Sequence, residues 1–183
     1  GHTSSAAVST VALERGGRVY RRYCDSCHGR LGDGLGPAAR FLRVPPRNFM
    51  TGVYKWRTTE SGALPTDADL IRTVRRGAPG TPMPAWEGRL SMADIYSVVQ
   101  YIKTFSSDFA DQPRPTRLPM PTSVPRFDAQ MVARGRMMYV LLQCWTCHGM
   151  DGRGDGPAAA TLVDDTGLAT VAYDFTQGQM RSG

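Results

Sequence analysis

The sequence predicts an all-α chain built as two tandem copies of one small helical domain. A proline-rich linker joins the copies, and the second spans only the opening half of the repeated pattern. Three observations predict this. The chain repeats itself: Cys24 to Ala39 reads CDSCHGRLGDGLGPAA and Cys144 to Ala159 reads CWTCHGMDGRGDGPAA. At an offset of 120 residues, both cysteines, the histidine, four glycines, the proline and two alanines match. Two capping-box signals, Thr66 with Asp69 and Ser91 with Asp94, open runs of helical period. Five prolines (Pro113, Pro115, Pro119, Pro121 and Pro125) crowd the stretch between the copies and make it semi-extended.

Taken in order, Thr10 to Tyr23 reads as a helix that delivers the first cysteine group. Thr66 caps a helix ending near Gly77. Ser91 caps another that carries Ile95, Val98, Val99, Ile102 and Phe105 on one face. The expected organisation is therefore a first domain over 1–110, a linker over 111–126 and a second domain over 127–183. Asp128 caps the second delivery helix, which runs to Gln143 with Met131, Met137 and Met138 as its core residues. The repeat extends past the cysteine groups in both directions. Gly16-x-x-x-Tyr20 matches Gly135-x-x-x-Tyr139, and Arg47-Asn48-Phe49 with Gly52 matches Tyr173-Asp174-Phe175 with Gly178 at an offset of 126.

Of the 183 residues 41% are hydrophobic and 21% charged, which fits a globular chain and argues against disorder. With 20 glycines and 13 prolines, much of the chain must be loop, and a loop-rich fold needs something large to fill its middle. No apolar run approaches a membrane span, and no basic stripe marks a nucleic-acid surface. The formal charge of +6 mildly favours an acidic partner.

All four cysteines fall in Cys24-Asp25-Ser26-Cys27-His28 and Cys144-Trp145-Thr146-Cys147-His148. Two thiols three residues apart on one turn reach the two vinyl groups of one porphyrin, and the following histidine then lies under the iron as its proximal ligand. The expectation is two covalently bound haem c groups, one on Cys24, Cys27 and His28, the other on Cys144, Cys147 and His148. Zinc, redox dithiols and disulfides compete for the same cysteines. A zinc site would have to bring together segments 120 residues apart, and it leaves the histidine after each pair unexplained. A chance histidine after both pairs is roughly a one-in-several-thousand event.

Through these residues the chain resembles the class I c-type cytochromes, specifically the tandem two-haem members. The first copy covers that pattern from Gly16 to about Phe105. The resemblance implies first and last helices that cross beside the haem edge. It also makes Gly80-Thr81-Pro82-Met83-Pro84-Ala85-Trp86 the methionine loop, with Met83 as sixth ligand and two prolines stiffening the turn. The carbonyls of Pro37 and Pro157 are implied to accept the Nδ1 protons of His28 and His148. Arg47, Tyr54, Trp56, Arg57 and Trp86 are candidates for propionate contacts or packing on the haem edge. In the second copy the counterpart of Met83 falls near position 209, so the sixth ligand there is Met180 or a residue beyond Gly183.

The function expected is transfer of single electrons between a redox donor and an acceptor in a respiratory or similar chain, a membrane-bound respiratory complex being one such partner. The alternative is a haem enzyme, a peroxidase or sulfur-compound oxidase, with an open sixth site at the second haem. Haem ligation by cysteine, used in some sulfur oxidases, is excluded because all four cysteines serve attachment. Haem is attached outside the cytoplasm in bacteria, so the expected location is the periplasm or the outer face of a membrane, with any tether lying outside this chain.

Overall fold

A computed structural model describes residues 8–113, 115–123, 126–164, 167 and 169–177. Met180, Gly178 and Pro125 lie outside the described residues. Among those described the chain is helical or irregular, with no β-strand and two isolated bridges, Glu87 with Leu90 and Val163 with Ala169. It divides into two compact units between Leu118 and Pro119.

The first unit contains α1 (Thr10–Tyr23), α2 (Asp25–His28), α3 (Asp67–Arg76), α4 (Met92–Lys103) and α5 (Asp108–Asp111), with a 3-10 turn at Ala39–Phe41. The cap chemistry places the helix starts. Ser9 accepts from the Ala12 N–H, while Thr66 and Ser91 each form a full capping box with Asp69 and Asp94. Gly77 takes a positive φ and stops α3. On α4, Ile95, Val98, Val99 and Ile102 are buried. Full burial of side chains like Val98 and Val99 contributes up to about 1.5–3 kcal/mol each. Phe105 lies past the helix end, after the Thr104 cap, yet still packs on the same core.

Helix α1 lies against α4 at Gly16, where a Cβ would stand 2.0 Å from the Ser97 carbonyl oxygen. Only a glycine permits so close an approach. The Arg15–Asp94 ion pair (2.7 Å) flanks the contact. The residues between the cysteine turn and α3 are irregular and are pinned by Asp69, whose carboxylate is 1% exposed. Its Oδ2 accepts from the backbone N–H and hydroxyl of both Thr58 and Thr66 at 2.9–3.1 Å, and its Oδ1 accepts from Arg72 at 3.0 Å. Burial alone would raise this carboxyl, but the four bonds outweigh it and hold it below the usual carboxylate range. The Leu118 N–H donates to the Thr58 carbonyl at 2.8 Å, so the first part of the proline-rich stretch belongs to this unit.

The second unit contains α6 (Ala129–Leu141) and α7 (Trp145–His148), with 3-10 turns at Ala159–Thr161 and Phe175–Gln177. Asp128 caps α6 by accepting from the Met131 N–H at 2.7 Å. The sequence reading of the α6 methionines as core requires correction: Met137 is 63% and Met138 41% exposed, and no α6 residue is buried. Val19, the counterpart of Met138 on α1, is buried in one cluster with the α4 residues, and no described helix of the second unit plays that part.

Candidate metal centres

In both units a long helix hands the chain to a single turn. Helix α1 closes with the Cys24 N–H on the Tyr20 carbonyl, and α2 begins at the next residue, with the His28 N–H on the Cys24 carbonyl (2.9 Å). The second unit repeats this with His148 on Cys144 (2.9 Å). Each turn carries two cysteines three residues apart and ends on histidine, and all four thiols are unpaired. Gly29 and Gly149 follow at φ +78° and +75°, a left-handed conformation that reverses the chain directly after the imidazole. A phenol fastens each reversal to its delivery helix: the Tyr20 hydroxyl donates to the Gly29 carbonyl (2.8 Å) and the Tyr139 hydroxyl to the Gly149 carbonyl (2.6 Å).

The imidazoles are oriented from one side. His28 Nδ1 lies 3.0 Å from the Arg47 carbonyl and His148 Nδ1 lies 2.9 Å from the Tyr173 carbonyl. A carbonyl only accepts, so Nδ1 carries the proton and the Nε2 lone pair is left for a metal. Burial pushes the His28 pKa down against the pull of the Arg47 carbonyl, and the Arg47 charge pushes the same way, keeping the ring neutral. Burial raises the Cys24 thiol to about 12, with Asp25 and Cys27 adding to it.

These acceptors correct one expectation. Pro37 and Pro157 do not supply the carbonyls at Nδ1. The Gly36 and Ala38 N–H groups bond to the Cys27 and Ser26 carbonyls (3.1 and 2.8 Å), which lays the Pro37 turn along the earlier residues of α2. Gly156 and Ala158 do the same on Cys147 and Thr146. Meanwhile the Phe49 N–H on the Gly32 carbonyl (2.6 Å), and Phe175 on Gly152 (2.7 Å), bring residues 47–49 and 173–175 up to the imidazoles. Phe49 and Phe175 were not singled out from the sequence, although the repeated Arg47-Asn48-Phe49 and Tyr173-Asp174-Phe175 contained the signal.

Met83 sits in a loop folded onto α3. The Ala78 N–H donates to the Met83 carbonyl (3.1 Å), and the Trp86 N–H donates to the carbonyls of Val74 and Arg75. Met83, Trp86 and Cys24 all pack against one buried cluster, and Trp86 also meets the Tyr23 ring at 5.3 Å. Arg57 donates to the Tyr54 and Glu60 carbonyls and so braces its own loop. Arg47 contributes its carbonyl, and its charge also reaches Tyr54. Trp56 is half-buried in the same stretch.

Two phenols, the buried Tyr54 and the half-buried Tyr173, carry buried hydroxyls with no hydrogen-bond partner among the described residues. Leaving such a group unmet costs about 1–3 kcal/mol. Unpaired thiols, imidazoles engaged at Nδ1 with Nε2 available and orphan hydroxyls fit an iron porphyrin, which brings metal, thiol-reactive vinyls and carboxylates. Among the described residues no group of three or more His, Cys, Asp or Glu gathers where it could hold a metal ion by itself.

Comparison with known proteins agrees with this chemistry. The family described as cytochrome C oxidase, cbb3-type, subunit III matches residues 11–102, and the cytochrome c family matches residues 132–183. The cbb3-type cytochrome c oxidase subunit CcoP of Azospirillum brasilense is 30% identical over 52% of this chain and 29% of its own. Cytochrome c55X of Pseudomonas aeruginosa is 40% identical over 39% of this chain and 45% of its own. The chain thus spans about half or less of these relatives. A chain in the solved structure of the Kuenenia stuttgartiensis reducing HAO-like protein complex superposes with a TM-score of 0.87 at 40% identity, covering 93% of this chain and 77% of that one.

Proposed function

Because the chain belongs to the cytochrome c family, as two cytochrome c domains in tandem, we propose that it carries two covalently attached haem c groups and relays single electrons between redox partners. Haem supplies an iron that takes up and releases one electron. The chain's own residues do the rest. Cys24 and Cys27, and Cys144 and Cys147, hold one porphyrin each by thioether bonds, and His28 and His148 offer Nε2 to the metal. Met83, in its Pro-Met-Pro turn, would offer its sulfur as a further ligand in the first domain. In the first domain, ligation by His28 and Met83 together would leave little to rearrange on electron gain. Tyr54 and Tyr173 offer hydroxyl protons to the haem carboxylates.

The carrying observation is the doubled arrangement of unpaired thiols and a carbonyl-held imidazole with a free Nε2. The relatives' names, an oxidase subunit and a chain in a reducing HAO-like complex, support service within or beside a larger oxidoreductase assembly, and haem attachment outside the cytoplasm in bacteria supports a periplasmic or outer-face location. No described helix is long and apolar enough to cross a membrane.

Intact mass spectrometry under denaturing conditions tests the proposal, and two haems added to the polypeptide are expected. A bare polypeptide, or zinc in place of iron, refutes it. Carbon monoxide binding to the ferrous form separates carrier from enzyme. The first haem should refuse it, and ready binding there would overturn the assignment of Met83.

A further inference from the structure

We propose that Phe49 and Phe175 are positioning residues that set the rotation of the axial imidazoles, each working with the carbonyl two residues before it as one rigid clamp. The inference rests on the two-haem reading above and concerns how each ligand ring is held.

A single hydrogen bond at Nδ1 leaves an imidazole free to pivot about the N···O line. A flat contact on the ring face removes that freedom. Both constraints are present in both units. The Phe49 ring stacks on His28 with centroids 4.5 Å apart and planes 17° from parallel, and Phe175 stacks on His148 at 4.3 Å and 24°. In each case face and edge are gripped by residues i and i−2 of one short segment. That segment is itself fixed: the Phe49 N–H bonds to Gly32 and Asn48 Oδ1 caps the Met50 N–H (2.9 Å), while the Phe175 N–H bonds to Gly152 and Asp174 Oδ1 caps the Thr176 N–H (2.8 Å). The geometry recurs although Arg47 and Asn48 are replaced by Tyr173 and Asp174, so it follows from backbone course and the phenyl ring.

The clamps differ in stiffness. Phe49 is 7% exposed and backed by near-parallel Tyr54 and Phe105 rings at 6.3 and 6.2 Å. Phe175 is 38% exposed, with the tilted Tyr173 ring at 6.0 Å as its aromatic neighbour. A stacked aromatic held at both face and edge therefore fixes the first imidazole more firmly than the second.

The plane of an axial imidazole governs how unpaired spin spreads over a low-spin ferric porphyrin, so haem-methyl shifts in proton NMR and the g-anisotropy in electron paramagnetic resonance report it directly. Phe175→Leu and Phe49→Leu should each retain two covalent haems by mass. Each should rearrange the methyl-shift pattern of its own haem, leave the other unchanged and broaden the g-signal. Phe175→Tyr, which keeps the stacked face, should restore the parent pattern. Unchanged shifts and g-values in Phe175→Leu with both haems attached would overturn the proposal, as would an equal change in the Tyr variant. Should Phe49→Leu fail to mature, Asn48→Ala, which loosens the same segment at its surface, is expected to move the first haem's pattern in the same sense, and no movement would count against the clamp. Absence of haem from the parent protein would instead refute the two-haem reading.

Discussion

Gly16 and Gly135 occupy the same place in the repeat but meet opposite surroundings, so one substitution made at both tests how the first unit is packed. A Cβ at Gly16 would lie 2.0 Å from the Ser97 carbonyl oxygen, 2.6 Å from its carbon and 2.8 Å from Tyr101 Cβ. Ordinary contact needs about 3.4 Å or more, and the obstacle is backbone, so α4 must retreat by about 1.4 Å at the crossing. That shift would drag the fully buried Val98 and Val99 from their contacts. Overpacking of this kind costs about 1–3 kcal/mol, and the upper part of the range applies because no side chain can swing aside. Alanine returns about 1 kcal/mol of helix propensity over glycine, leaving a net loss near ~2 kcal/mol. For a unit of this size that corresponds to a fall of about 8 °C in melting temperature. Gly17, where a Cβ meets movable side-chain atoms at 3.1 and 3.2 Å, should lose less. Gly135 has nothing within 4 Å, so Gly135→Ala should leave the second unit unchanged or raise it by up to about 1 kcal/mol. Thermal unfolding of the haem-loaded single variants, followed by far-ultraviolet circular dichroism, provides the comparison. A Gly16→Ala protein that melts at or above the parent would refute this account of the helix crossing.

Other outcomes follow from the same geometry. Asp69→Asn should lower first-unit stability by about 2–3 kcal/mol at neutral pH, since four bonds to a carboxylate become bonds to a neutral amide and Arg72 loses its partner. The folded-state pKa of Asp69 is depressed, so its contribution is complete above the unfolded value of about 3.9 and fades below it. The gap between parent and variant in urea titrations should therefore shrink as pH falls under about 4. Asp94, held down to about 2 chiefly by the Arg15 hydrogen bond and then by Ser91, behaves alike: Asp94→Asn should flatten the stability profile between about pH 5 and 2, and a variant with the parent's profile would contradict the pairing. Tyr20→Phe should cost about 1–3 kcal/mol by stranding the Gly29 carbonyl in the core. Tyr139→Phe, at a more open position, should cost less than about 1 kcal/mol, and chemical denaturation of each decides. Met83→Ala should let the first ferrous haem bind carbon monoxide, seen as a shift of its Soret band, while covalent attachment is retained.

Helix starts were legible because caps are local: Ser91 with Asp94 and Thr66 with Asp69 announce themselves within four residues, and α1 spans Thr10–Tyr23 as its periodicity suggested. The cysteine turns were legible for the same reason. The Nδ1 acceptor was not. Which carbonyl reaches His28 depends on how the Gly32-to-Phe49 loop closes, a pairing across seventeen residues of irregular chain that no local pattern encodes, and the resemblance pointed to Pro37 instead. The exposed Met137 and Met138 on α6 show the complementary limit. Helical period marks an apolar face, yet whether that face is covered depends on another element, and α6 has none among the described residues.

The histidine side of each centre is assembled from one uninterrupted stretch, from the delivery tyrosine to the stacked phenylalanine, whereas the Met83 loop arrives from a separate region of the chain. The hydrogen bonds that house each imidazole are therefore contiguous in sequence. On the two-haem reading, the opposite ligand can change while the bonds at Nδ1 stay as they are, whereas the rings that back Phe49, Tyr54 and Phe105, come from outside the stretch and tie the first unit's stacking to the rest of its core.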